Sequence, residues 1–281
     1  MTPPSPYDDP VPRGWKLVQG TLRVTVALQC FGAAAARLQA HLDSTVVQLL
    51  EAFEVLPTGH AARADHLAGY ALLLCGVLSL FRPCWPVLLP ATAWFGAMAA
   101  APALLHDDPV ATVVLVSGVV APLVLLLVEF WPPALSFSIG RAHVSMLLLR
   151  LGIATTLTGH ALLLLMECNR PDDWGQFVRR AAERVFDRNL SEGMVVQALA
   201  VGAAVDLALA ANLLVARVRP LVFLLAAWGA LLAAIPMAAQ GTAEYHVCLS
   251  RAAQAGVPLA LFFWWFCAIR EQSPIIVPGS T

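Results

Sequence analysis

Three residues inside long apolar runs could carry chemistry in this chain: Arg150, His160 and Asp206. The first two share the run Val144 to Met166, VSMLLLRLGIATTLTGHALLLLM, long enough to cross a hydrocarbon layer about 30 Å thick. An ionisable side chain is expensive there, so each is a site hypothesis until a partner accounts for it. Counting about 1.5 Å of rise per residue from the expected helix ends puts Asp206 near mid-membrane, within a few ångströms of Arg150 in height, and His160 higher. Two readings follow. Either Arg150 and Asp206 pair between neighbouring helices and fix their register, or Asp206 and His160 line a polar pocket for a quinone headgroup or a proton path. In the second case His160 exchanges the proton, as histidine can near neutral pH. For His160 alone the packing alternative is a hydrogen bond to Thr156, Thr158 or a neighbouring carbonyl. His60, His66, His106 and His246 fall near one membrane edge and His143 near the other, so none is an obvious second haem ligand.

The elements that must position these residues are membrane helices. Of 281 residues, 59% are hydrophobic and 12% charged, which excludes an ordinary soluble domain. A net charge of -1, with no basic run interleaved with aromatics, excludes a nucleic-acid surface. The polar, proline-rich start MTPPSPYDDPVPRGWK lacks the order of a cleavable signal peptide, so the first membrane helix is expected to act as the targeting signal. Eight apolar spans are expected, at about 21–38, 66–81, 84–105, 110–131, 144–166, 194–216, 220–243 and 252–269. Two long links interrupt them. Residues 39–65 and 167–193 each suit a helix lying at the interface, and Trp174, Phe177, Val178, Val185 and Phe186 give the second an apolar face opposite Arg179, Arg180, Glu183 and Arg184. The remaining links are short, and Pro83, Pro109 and Pro220 suit the starts of the helices that follow.

The same plan occurs twice. Leu22-Arg23 and Leu149-Arg150 are each followed by a glycine nine residues beyond the arginine, Gly32 and Gly159. Arg82-Pro83 matches Arg219-Pro220, Trp94 and Trp228 each precede a proline by eight residues, and Ala121-Pro122-Leu123 lies over Val257-Pro258-Leu259. The predicted fold is therefore all-α: eight transmembrane helices as two parallel-repeat four-helix bundles side by side. The divisions are a tail at 1–20, a first unit at 21–131, a linker at 132–143, a second unit at 144–270 and a tail at 271–281. Arg13, Lys16, Arg82, Arg141, Arg217, Arg219 and Arg270 gather on one side, which predicts both termini in the cytoplasm and the long links outside. A bacterial inner membrane is the expected setting.

The second half resembles the DoxX-like family of small four-helix membrane proteins. That family's pattern is leucine-arginine, then nine residues, then histidine-glycine, followed by an acidic residue heading a glycine-rich second helix that ends in arginine. Arg150, His160 and Asp206 occupy those places, with Arg217 or Arg219 last. Ala161 replaces the family's glycine, Asp206 its commoner glutamate, and Leu164 and Leu165 stand where a lysine is usual. The first half keeps Arg23 but has Ala33 and Gly69 in place of the histidine and the acid, as in a degenerate copy. The resemblance implies the fold, and some members resemble the membrane subunit of a thiosulfate to quinone oxidoreductase.

Six cysteines form no CxxC or CxxH pair. Cys30, Cys75 and Cys267 read as small core residues, whereas Cys168 and Cys248 end helices on the same side and could form a disulfide if that side is oxidising. Glu167, Cys168, Glu244, His246 and Cys248 read as a solvated rim in preference to a metal site. No nucleophile and base set or phosphate loop occurs, so no catalytic residue is assigned. Three functions remain: an accessory or scaffold subunit of a larger membrane assembly, which the lack of a catalytic set favours; a quinone-linked oxidoreductase subunit using Arg150, His160 and Asp206; and a small-molecule transporter. The expected partners are the lipid bilayer and other membrane subunits, and quinone is the one cofactor with a candidate site.

Overall fold

A computed structural model describes residues 13–39, 44–55, 57, 60–129, 139–169, 173–215 and 218–272. Trp131 with the prolines after it, Arg217 and the last nine residues lie outside that set. Among the described residues there is no strand. The helices are α1 (Arg13–Gln39), α2 (Thr45–Ala52), α3 (Ala61–Phe81), α4 (Trp85–His106), α5 (Pro109–Val128), α6 (Ile139–Glu167), α7 (Asp173–Phe186), α8 (Glu192–Val215), α9 (Arg219–Gln240), α10 (Tyr245–Ser250) and α11 (Ala253–Gln272). A short 3-10 turn, Thr242–Glu244, leads into α10.

Six of these, α3, α4, α5, α6, α8 and α9, are long and apolar enough to cross a membrane. The 3-10 turn with α10, and α11 beyond it, bent by 47° at Arg251-Ala252, raise the number to seven if they form one broken span. The first of the eight expected spans lies within α1, whose 27 residues include Arg13, Lys16, Arg23 and Arg37 and which is not among the six. The helix starts follow local chemistry. The Asp108 carboxylate accepts from Ala111 N at 3.0 Å and Pro109 supplies the first turn of α5, where a missing N–H costs nothing. Both long links contain helices, α2 and α7.

The helices interlock. Helix α1 packs along α3 and α11, and α6 packs along α8 and α5; α4 runs beside α5 as α9 runs beside α11, and α2 lies on α4 as α7 lies on α9. The first long helix of each expected unit thus rests on the last helix of the other, so the expected bundles share one core instead of standing side by side. Val18, Leu22, Val124, Leu149, Leu213 and Leu261 all belong to that core. The crossings depend on small residues, as lipid-embedded helices do for close approach. A methyl group on Gly32 would lie 2.3 Å from Ser250 N, and one on Gly159 would lie 2.9 Å from Val114 N, so both glycines singled out by the arginine spacing sit at crossings. Gly256 of α11 meets Thr25 of α1, and Gly152 of α6 meets Val120 of α5.

The two arginines have different partners. Arg23 donates through Nε (3.1 Å) and Nη2 to Glu129 Oε1, and the Arg150 guanidinium lies 5.7 Å from the centre of the Trp265 ring. Arg23 and Glu129 are 32% and 15% exposed, so a double-mutant cycle with Arg23→Ala and Glu129→Ala should give a coupling of about 0.5 to 1 kcal/mol, read from unfolding in detergent titrations.

Candidate functional site

His160 lies on α6 seven residues, about two turns, before the end of that helix at Glu167. Its Nδ1 is 2.6 Å from Asp206 Oδ2 on α8, and Trp228 on α9 donates from Nε1 to Asp206 Oδ1 at 2.7 Å. Asp206 is 0% exposed and His160 3%, so neither is solvated and each depends on the other for a partner. The Trp228 N–H and the His160 imidazole on one carboxylate make a buried acid tolerable where water cannot reach it.

The register differs from equal helix ends. Arg150 does not hold Asp206: its Nη2 donates to the carbonyls of Leu213 at 2.7 Å and Leu214 at 3.0 Å, in the last turn of α8. That turn carries unpaired carbonyls and the negative end of the helix dipole, which suits a cation. Asp206, seven residues back along α8, thereby meets His160, ten residues on along α6. The threonines expected to bond His160 are engaged elsewhere: Thr156 Oγ1 accepts from Ser117 N at 2.9 Å, and Thr158 Oγ1 donates to Ala154 O at 2.8 Å.

Above His160 sits Trp174, in the first turn of α7, 8% exposed and edge-on to the imidazole with ring centres 4.7 Å apart. Glu167 fixes it: Oε1 accepts from Trp174 N at 3.1 Å and Oε2 from Gly175 N at 3.0 Å, so one side chain caps two of the open N–H groups at the start of α7. The Arg251 guanidinium lies 5.5 Å from the centre of the same indole. Removing the cap with Glu167→Ala should cost about 1 kcal/mol. Amide exchange should quicken over the first turns of α7 and Trp174 fluorescence should shift red, with α8 unchanged.

Beneath the imidazole is a small, partly open cleft of about 20 Å³, lined by Ser117 of α5, Thr156 and His160 of α6, Leu225 and Gly229 of α9, and Gln254 and Pro258 of α11. His160 Nε2 and Gln254 Oε1 are buried without a hydrogen-bond partner. Asp206 thus belongs to the site through His160, and Arg150 lies outside it.

The other end-of-helix residues go separate ways. Cys168 and Cys248 are free thiols, so the disulfide considered for them is absent; Cys168 Sγ faces the Val196 carbonyl at 3.9 Å. Glu244 pairs with His246 at 3.6 Å while Glu167 serves α7, and among the described residues no group of three such side chains could hold a metal ion. In the first half Trp94 Nε1 is buried without a partner and Arg37 lies 5.7 Å from the ring centre.

Sequence reasoning found His160 and Asp206 but missed Trp228, Trp174, Arg251 and Gln254 as their surroundings. Two of them carry a signal in the sequence: Trp228 stands eight residues before a proline, as Trp94 does, and Trp174 begins the apolar face of an amphipathic helix. Comparison with known proteins gives no match, whether to a family model, a curated protein or a solved structure.

Proposed function

We propose that this chain is a membrane subunit of a quinone-linked redox assembly, binding the headgroup of a quinone-class lipid in the cleft below His160 and exchanging a proton with it. One observation carries this reading: Asp206 engages Nδ1 of His160 and leaves Nε2 buried and unpartnered, next to a cleft. A ring nitrogen placed like this can bind and relay a proton, and its carboxylate partner orients it and balances the charge. On this reading a partner subunit supplies the redox centre. The likeness to the DoxX-like family, through His160 and Asp206, agrees with this.

We further read residues 21–131 and 144–270 as two copies of one unit. The crossings at Gly32 and Gly159, the contacts of Thr25 with Gly256 and of Val120 with Gly152, and the matched positions of Arg23 and Arg150 support a duplication whose products interlock. On that view the first unit folds with Ala33 and Gly69 where the second has His160 and Asp206. A fold that forms without the pair does not need it for packing, which favours a ligand role.

A second reading, an accessory subunit whose task is assembly, draws on α8. Gln197 and Asn212 are exposed on this apolar helix, and polar side chains in hydrocarbon favour contact with another membrane helix. The test is purification in mild detergent with mass spectrometry of bound proteins and extracted lipids. Quinone that co-purifies and is lost with His160→Ala supports the first reading. Stoichiometric partner proteins without quinone would leave the second.

A further inference from the structure

The cleft below His160 is matched, in size and in polar groups, to one very small molecule. Its volume of about 20 Å³ compares with the roughly 10 to 15 Å³ that a single water requires. Trp228 donates to Oδ1 of Asp206, and Oδ2 lies 2.6 Å from Nδ1 of His160. A carboxylate held like this takes the Nδ1–H, so the neutral imidazole presents a lone pair at Nε2. Nε2 is buried and lacks a donor, and so does Oε1 of Gln254 in the same cleft. The hydroxyls of Ser117 and Thr156 and the Gln254 amide line the same space and are donors. A water brings two hydrogens for the two acceptors and two lone pairs for those donors. Nε2 and Oε1 have almost no accessible surface, so they are reached only at hydrogen-bond distance, which is shorter than van der Waals contact.

We propose that the cleft binds one ordered water between His160 Nε2 and Gln254 Oε1, and that this water is the port through which the His160 and Asp206 pair gains and loses a proton. In this step an O–H bond of a protonated water breaks, its proton joins the Nε2 lone pair, and a neutral water remains. No electron moves. The same water then turns to accept from the new Nε2–H while it still donates to Oε1, so both states of the ring are satisfied. Asp206 on α8 is the charged group bonded to the ring, and it balances the imidazolium. Trp174 closes another side of the ring, with the Arg251 guanidinium 5.5 Å from the centre of that indole. Helices α5, α9 and α11 bring Ser117, Leu225, Gly229 and Gln254 to the cleft, and apart from His160 no residue that lines it titrates. The inference is independent of the quinone-class reading, in which a headgroup would displace this water as the cleft opens.

A crystal structure of the full chain in lipid, at a resolution that shows ordered waters, should place one water within about 3.2 Å of both Nε2 and Gln254 Oε1. Nitrogen NMR of isotope-labelled histidine, with the full chain in quinone-free lipid nanodiscs, then follows the ring itself. The His160 signals are those lost in His160→Ala. Nε2 should be unprotonated at high pH and protonated at low pH, and its proton should exchange with water. Gln254→Met keeps the length of the side chain but removes the second acceptor, so that exchange should slow about fivefold or more. Absence of a water on Nε2, a ring whose state is fixed between about pH 4 and pH 9, or exchange unchanged in Gln254→Met overturns the proposal. The crystallographic measurement requires no substitution, so the proposal remains testable even if neither variant folds.

Discussion

Asp206→Ala should destabilise the protein by about 3 to 5 kcal/mol, the range for removing one partner from a buried charged pair. The carboxylate is 0% exposed and receives Trp228 Nε1 and His160 Nδ1, both of which would be left in the interior with nothing to bond. Asp206→Asn keeps an acceptor for Trp228 and a polar group for His160, so its loss should be smaller, about 1 to 2 kcal/mol. Unfolding titrations from mild into denaturing detergent would rank the variants. If Asp206→Ala unfolds within about 1 kcal/mol of wild type, the pair is solvated and the buried site described here is wrong.

The second large effect is expected at Gly229. A methyl group there would lie 2.0 Å from the Gln254 carbonyl oxygen and 2.5 Å from its carbon, which are backbone atoms of α11 that no side-chain rotation can move aside. Gly229→Ala must therefore separate α9 from α11, at about 1 to 3 kcal/mol. Gly229 and Gln254 both line the cleft, so the displacement also changes its shape. Gly96 on α4 is the control: a methyl group there has nothing within 4 Å, and alanine in mid-helix should leave stability unchanged or raise it by up to about 1 kcal/mol. Equal stability of the two variants would mean that α9 and α11 do not approach as closely as described.

Part of this protein can be read directly from its residues, because membrane insertion and helix termination are local. Long apolar runs become helices in hydrocarbon whatever surrounds them, since no other open structure satisfies the backbone there. Proline and aspartate mark where α5 begins for reasons contained within a single turn. The alternation of Trp174, Phe177 and Val178 with arginines likewise specifies an amphipathic helix in α7. His160 and Asp206 stood out because ionisable groups in apolar runs are costly wherever they occur.

Partnership is what the linear order withheld. Helix ends give height only to within a turn or so, and an arginine can reach far along its helix. Equal ends therefore paired Arg150 with Asp206. In the folded chain the cation goes to the carbonyls of Leu213 and Leu214, and the carboxylate goes to His160 and Trp228. The interlocking of α1 with α11 and of α5 with α6 was equally hidden, since a repeat fixes what each copy contains and leaves open which copy supplies a neighbour. The sequence by itself determined the helical membrane class, the helices of the long links and the two residues whose burial needs explaining. Only tertiary packing decided that they meet, that Trp174 covers them and that a cleft opens beneath, because side-chain register between helices depends on contacts between residues far apart in the chain.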